Sequence, residues 1–209
     1  MQSIIKHEFS EHIKVSQNTL DSIVKQIETA SKICINSLKN GGKILIMGNG
    51  GSAADAQHIA AELVGRYKTE RKGLSAIAIT TDTSAITSIA NDYGFLHVFD
   101  RQVRALAQKD DVVIGISTGG TSANVSNALK TANELGCKTI GFSGKDGGVF
   151  NTICDVNLLV NSHDTPRIQE MHILIGHTIC HLIDLELTDY LNFFAASKIS
   201  DSSINFIQL

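Results

Sequence analysis

Two short loops and two helices hold the residue types that can do chemistry in this sequence. Gly48-Asn49-Gly50-Gly51-Ser52 and Ser117-Thr118-Gly119-Gly120-Thr121-Ser122 each follow an apolar run and open a helical pattern. A helix start presents unpaired backbone N–H groups at the positive end of the helix dipole, and glycines let that backbone approach a ligand closely. With hydroxyls as extra donors, such a loop commonly holds phosphate. Either loop alone is equally an ordinary strand-to-helix turn with a serine N-cap. Two of them at strand ends, where open α/β sheets place their ligands, point to a site. The helix leaving the first loop carries His58 and Glu62, four apart and so on one face. A later helix carries Gln169, Glu170, His172, His177 and His181 in an otherwise apolar stretch, and His177 returns near the face of Gln169 two turns on. A buried, hydrogen-bonded histidine is the ordinary explanation for any one of these. Taken together, carboxylate and imidazole near a phosphate loop suit proton transfer. The set His58, Glu62, Gln169 and His177 can equally hold a divalent metal, although no H-E-x-x-H is present and Gln is an uncommon ligand.

The phosphate compound is narrowed by what the loops lack. Gly48-x-Gly50-x-x-Ala53 formally fits a dinucleotide fingerprint, but the acid expected to end the next strand has no better candidate than the late Asp82. No G-K-[ST] ending is present for a nucleoside triphosphate. The hydroxyl-rich second loop suits a monophosphate better than a pyrophosphate.

The elements that position these residues follow from apolar periodicity. Residues 3–40 read as a pair of helices, with Ile4, Ile5, Phe9, Ile13 and then Leu20, Ile23, Val24, Ile27 at spacings of three and four, stopped by Gly41-Gly42. Five apolar runs follow, at 43–47, 75–80, 111–117, 138–142 and 156–160, separated by helical sequence. Short buried strands alternating with helices predict βαβ units: a five-stranded parallel sheet with helices on both faces. Pro166 suits the first turn of a last helix running to about Leu191, and 192–209 has no clear period. The organisation expected is one domain over 1–209, with a core at 43–191.

Composition fits that plan. The chain has 209 residues, 43% apolar and 19% charged, enough to bury a core, and a single proline excludes a Pro-rich linker. No apolar run nears the roughly 18–20 residues of a membrane span, and the N-terminus lacks a secretory pattern. A cytoplasmic protein without membrane partners is expected. A net charge of −3, with 18 basic residues spread along the chain, offers no footprint for nucleic acid. Cys34, Cys137, Cys154 and Cys180 are isolated and read as reduced, packed thiols. The amphipathic N-terminal pair and the apolar last helix offer more apolar surface than one small sheet covers, so self-association is expected.

The stretch from Gly48 through Glu62 to Arg66 resembles the signature of bacterial phosphoheptose isomerases, a sugar-isomerase (SIS) domain family. Ala90-Asn91-Asp92-Tyr93-Gly94, the 117–124 loop, Gly144-Lys-Asp-Gly-Gly148 and Arg167 to His177 match in the same order, so the likeness covers about residues 1–190. The resemblance implies a flavodoxin-like three-layer sandwich that converts D-sedoheptulose 7-phosphate to D-glycero-D-manno-heptose 7-phosphate, the entry to activated heptose for lipopolysaccharide or capsule. It implies substrate contacts at Asn49, Gly50, Gly51, Ser52, Glu62, Asn91, Asp92, Ser117, Thr118, Gly119, Ser122 and Gln169. It further implies an acid/base pair of Glu62 and His177, one zinc ion per subunit on His58, Glu62, Gln169 and His177, and a homotetramer with sites between subunits. Gly119 and Thr121 replace the family's usual Ser and Asn, which removes one hydroxyl donor. A related regulator that associates with the replication initiator protein uses the same fold without catalysis. It lacks the Glu and the second His, so the presence of Glu62 and His177 favours the isomerase.

Overall fold

A computed structural model describes residues 1–201, with side chains described to residue 188. Helix α1 (Gln2–Lys39) leads into strand β1 (Ile44–Gly48), helix α2 (Gly51–Val64) and strand β2 (Ala76–Ala78). Helix α3 (Thr83–Tyr93), a 3-10 turn at Phe95–His97 and helix α4 (Asp100–Leu106) precede β3 (Val112–Ile116). Helix α5 (Ala123–Glu134), β4 (Lys138–Gly144), α6 (Phe150–Ile153), β5 (Val156–Val160) and α7 (Thr165–Asp201) complete the order.

All five strands are parallel, in the order β2-β1-β3-β4-β5. β1 and β3 are buried along their whole length because both sheet faces are covered, as their unbroken apolar runs predict. Alternate residues still part company. Ile44, Ile46, Ile114, Ile116 and Phe142 join a core with α1, α2 and α7, whereas Leu45, Met47 and Val113 meet α4, α5 and Phe150 on the other face. Chain order reverses at β1, whose neighbours are β2 and β3, so the crevice between the C-terminal ends of β1 and β3 is the switch point where such sheets bind ligands.

Two expectations need correction. Residues 3–40 form one helix, not a pair. No Gly or Pro interrupts residues 1–40, and the stretch between the two apolar series stays helical. There Thr19 Oγ1 donates to the Val15 carbonyl at 2.7 Å and Gln17 Nε2 to Asp21 Oδ1 at 3.0 Å. Helix α7 also passes Leu191 and continues to Asp201, so most of the stretch expected to be aperiodic is helical; 202–209 lie outside the described residues. Among the described residues no helix is long and apolar enough to cross a membrane.

Candidate active site

The two glycine loops stand side by side because β1 and β3 end in register, Gly48 opposite Ile116. A reciprocal amide pair ties them: Asn49 Nδ2 donates to Asn124 Oδ1 at 2.9 Å, and Asn124 Nδ2 donates to Asn49 Oδ1 at 3.0 Å. Gly50 takes φ +56° at the N-cap of α2, a conformation that L side chains rarely adopt. In the second loop the Ser117 and Ser122 hydroxyls are hydrogen-bonded to each other at 2.8 Å. Gly120, at φ +62°, sits so close to the 144–149 loop that an added Cβ would lie 2.1 Å from the Gly147 carbonyl oxygen. Val149 N–H donates to the Gly120 carbonyl, joining these two loops.

The titratable group lies further along α2. His58 Nε2 is 2.9 Å from His177 Nε2 and 3.2 Å from Glu62 Oε1, although His177 is 119 residues away in sequence. The Tyr67 ring stacks on His177 with centroids 5.5 Å apart. One ligand atom from each of His58, Glu62 and His177 falls within a 4.8 Å group. Ligands at 2.0–2.2 Å around a tetrahedral ion are about 3.4 Å apart, so this two-nitrogen, one-oxygen set fits zinc and leaves one position open.

A buried ion pair holds this end of α2. Arg71 Nε donates to Asp184 Oδ1 at 2.6 Å, with side chains 1% and 0% exposed. The rest of the guanidinium caps α2, donating to the carbonyls of Leu63 at 2.9 Å and Glu62 at 3.0 Å, acceptors with no partner inside the helix. Asp184 Oδ2 accepts from the Lys68 and Thr69 N–H groups at 2.8 and 3.1 Å. Burial alone would push the Asp184 carboxyl up, but these N–H groups and Arg71 together hold it below the usual range. Glu62 and the Tyr67 loop are thereby fixed against the helix that carries His177.

The structure therefore brings together His58, Glu62 and His177, and separately the loop residues Asn49, Gly50, Gly51, Ser52, Ser117, Thr118, Gly119 and Ser122. Gln169 goes with the loops: its amide lies against Gly51, where a Cβ would meet Nε2 at 2.5 Å, and it hydrogen-bonds to none of the three. Asn91 and Asp92 are exposed at the end of α3, paired with each other at 2.9 Å. His172 is packed in the core, its Nε2 at 3.0 Å from the Ser143 carbonyl, and burial pushes it down to about 4. Sequence reasoning missed Tyr67, Arg71, Asn124 and Asp184, whose partners are remote in sequence; a charged pair spanning 113 residues has no local signal.

A family model described as the SIS domain matches residues 8–144. The phosphoheptose isomerase of Aliarcobacter butzleri is 63% identical over 188 residues, 90% of this chain and 100% of the relative. That of Campylobacter jejuni serotype O:6 is 58% identical over 184 residues, 88% of this chain and 98% of its own. The solved phosphoheptose isomerase of Neisseria gonorrhoeae superposes with a TM-score of 0.83 at 47% identity, covering 88% of this chain and 98% of that one.

Proposed function

The chain belongs to the phosphoheptose isomerases, an SIS-domain family of aldose–ketose isomerases, and on that footing we propose that it interconverts D-sedoheptulose 7-phosphate and D-glycero-D-manno-heptose 7-phosphate through a cis-enediol. The observation that carries this reading is the convergence of Glu62 and His177, from helices far apart in sequence, into one acid/base group. The reaction takes a proton from C1 of the ketose as the C2 oxygen gains one, forming the enediol. Return of a proton to C2 and loss of one from O1 leaves the aldehyde. Glu62 and His177 divide these transfers, Tyr67 fixes the ring of His177, and the two loops anchor the phosphate. A non-catalytic regulator would need neither Glu62 nor His177.

His58, Glu62 and His177 would hold zinc, with Gln169 from another copy's loops as the fourth protein donor. When bound, zinc supplies Lewis-acid polarisation of the oxygens on C1 and C2.

Distance supports a site shared between copies. Glu62 is eleven residues beyond Gly51 on α2, about 16 Å along the axis. The eight bonds from C1 of the substrate to its phosphorus span only about 10 Å when extended. That mismatch supports a site in which one copy's acid/base group serves a phosphate on another copy's loops, with Gln169, seated on those loops, in the second half. Oligomerisation would also cover an apolar groove of about 500 Å3 between α1 and α7, lined by Leu20, Val24, Leu174 and Leu182. The family's homotetramer meets both needs. We place the reaction in the cytoplasm, where four free cysteines are at home, at the entry to activated heptose for lipopolysaccharide or capsule.

The test is NMR of the anomeric protons during incubation of the purified protein with sedoheptulose 7-phosphate, as prepared, after chelation, and after zinc is returned. The aldose phosphate forms, slows on chelation and recovers with zinc. No product under any condition would discard the isomerase reading, and a rate indifferent to chelation would discard the zinc.

A further inference from the structure

The loops Gly48–Ser52 and Ser117–Ser122 contain no charged side chain, so the donors they offer are N–H groups, hydroxyls and the Asn49 amide. A phosphate monoester carries nearly two negative charges at neutral pH. Neutral donors position such a group, but a full charge opposite it strengthens the bonds roughly twofold. The question is which cation faces this seat.

The structure points to the turn after β4. Lys145 follows its last residue, Gly144, and its backbone N–H donates to the Ser162 carbonyl at 2.8 Å. Lys145 has φ +58°, one of two non-glycine residues with positive φ among those described. A lysine held left-handed is backbone strain, and such strain collects where a side chain must be aimed. Its aim is visible at Gly119, where an added Cβ would lie 3.8 Å from Lys145 Cδ. The aliphatic stem thus lies against the bare backbone of the second loop, and the ammonium is two bonds further on. Contact between Gly120 and the Gly147-Gly148 backbone fixes the separation of the two turns. The arginines near the site's elements are committed: Arg71 to Asp184, Arg66 to Glu70, Arg167 to Glu8 and Glu170. The neighbouring Asp146 turns its Oδ1 to the Gly148 N–H. The Lys145 ammonium has no ion pair or hydrogen bond among the described residues, and the residue is exposed.

We infer that Lys145 is the cationic ligand of the substrate phosphate, reaching over Gly119 to the group seated in the Ser117–Ser122 loop. This rests on the phosphate seat proposed above. Lys145 is a binding residue and takes no part in proton transfer, so its loss acts on affinity and spares the chemical step.

The test compares wild type, Lys145→Gln, Lys145→Arg and Lys145→Gly as full-length proteins. Titration calorimetry with inorganic phosphate reads the anion seat alone, and steady-state turnover of sedoheptulose 7-phosphate reads KM apart from kcat. The Gln variant is expected to bind phosphate about tenfold more weakly and to raise KM by a similar factor. Its kcat stays within twofold of wild type, its affinity depends less on salt, and Arg restores part of the loss. The Gly variant, whose backbone takes this φ without strain, must show the same loss, which separates charge from misfolding. Equal phosphate affinity in wild type and the Gln variant would overturn the assignment, as would a fall in kcat at unchanged KM. If wild type turns over no heptulose phosphate, calorimetry still decides Lys145 while the isomerase reading fails alone.

Discussion

Two inactive chains should make an active enzyme. Glu62→Gln removes the carboxylate of the acid/base group and leaves both loops whole. Thr118→Asp puts a negative charge in the anion seat at a half-buried position where it needs no repacking, and leaves Glu62 and His177 whole. Each variant alone is expected to be inactive. With about 16 Å of helix between the halves and a substrate of about 10 Å, the shared site proposed above takes its loops and its acid/base group from different copies. Co-expressed in equal amounts and assembled at random, half the loops are intact and half the acid/base groups are intact. Half of one half leaves about a quarter of the sites complete, and turnover per subunit should approach that fraction of wild type. Separate affinity tags isolate the mixed assembly, light scattering confirms its mass, and the NMR assay reads its rate. A mixed assembly no more active than its parents would show that the site is built within one chain and that the helix-length argument is wrong.

Two further outcomes concern stability. Arg71→Met leaves Asp184 buried and uncompensated and uncaps α2, which should cost about 3–5 kcal/mol, or roughly 6–20 °C in Tm. The Asp184 carboxyl is held low in the native fold, so its contribution is present at neutral pH and lost on acidification. The Tm gap between wild type and variant should therefore narrow as pH falls below the usual carboxylate range, and a constant gap would remove the ion pair from the account. His172 is neutral in the fold, with its value lowered from 6.5 to about 4, whereas the unfolded chain takes up a proton in that window. Stability should drop by roughly 3 kcal/mol between those two pH values, and His172→Phe should remove that part of the slope in calorimetric melts.

The sheet was legible from sequence because its strands are short apolar runs between polar or glycine turns, and burial on both faces accounts for the runs Lys43–Met47 and Asp111–Ser117. The loops were legible because their signature is local: glycine and hydroxyl at a helix start. The cluster of His58, Glu62 and His177 was legible as candidates but not as an assembly, since nothing in the sequence states that His58 and His177 meet while Gln169 turns to Gly51. The division of residues 3–40 failed because the apolar series lapses between Ile13 and Leu20, whereas a helix tolerates that polar stretch once its side chains bond to the turn before or after. Lys145 was hidden for another reason. Its part depends on the sign of one backbone angle, which a lysine in a Gly-Lys-Asp-Gly-Gly stretch does not announce.

The pairing of α1 with α7 bears on how the chain is made. His12 meets Glu170 across 158 residues of sequence, and Arg167 reaches back to the Glu8 carbonyl. Helix α1 therefore waits for α7 to be synthesised. At 5–20 residues per second that wait is about 8 to 30 s. During it the stripe of Val15, Ile23, Ala30 and Cys34 has no native cover from α7. Nascent chains stalled before Thr165 should be holdase clients, and release should coincide with emergence of α7.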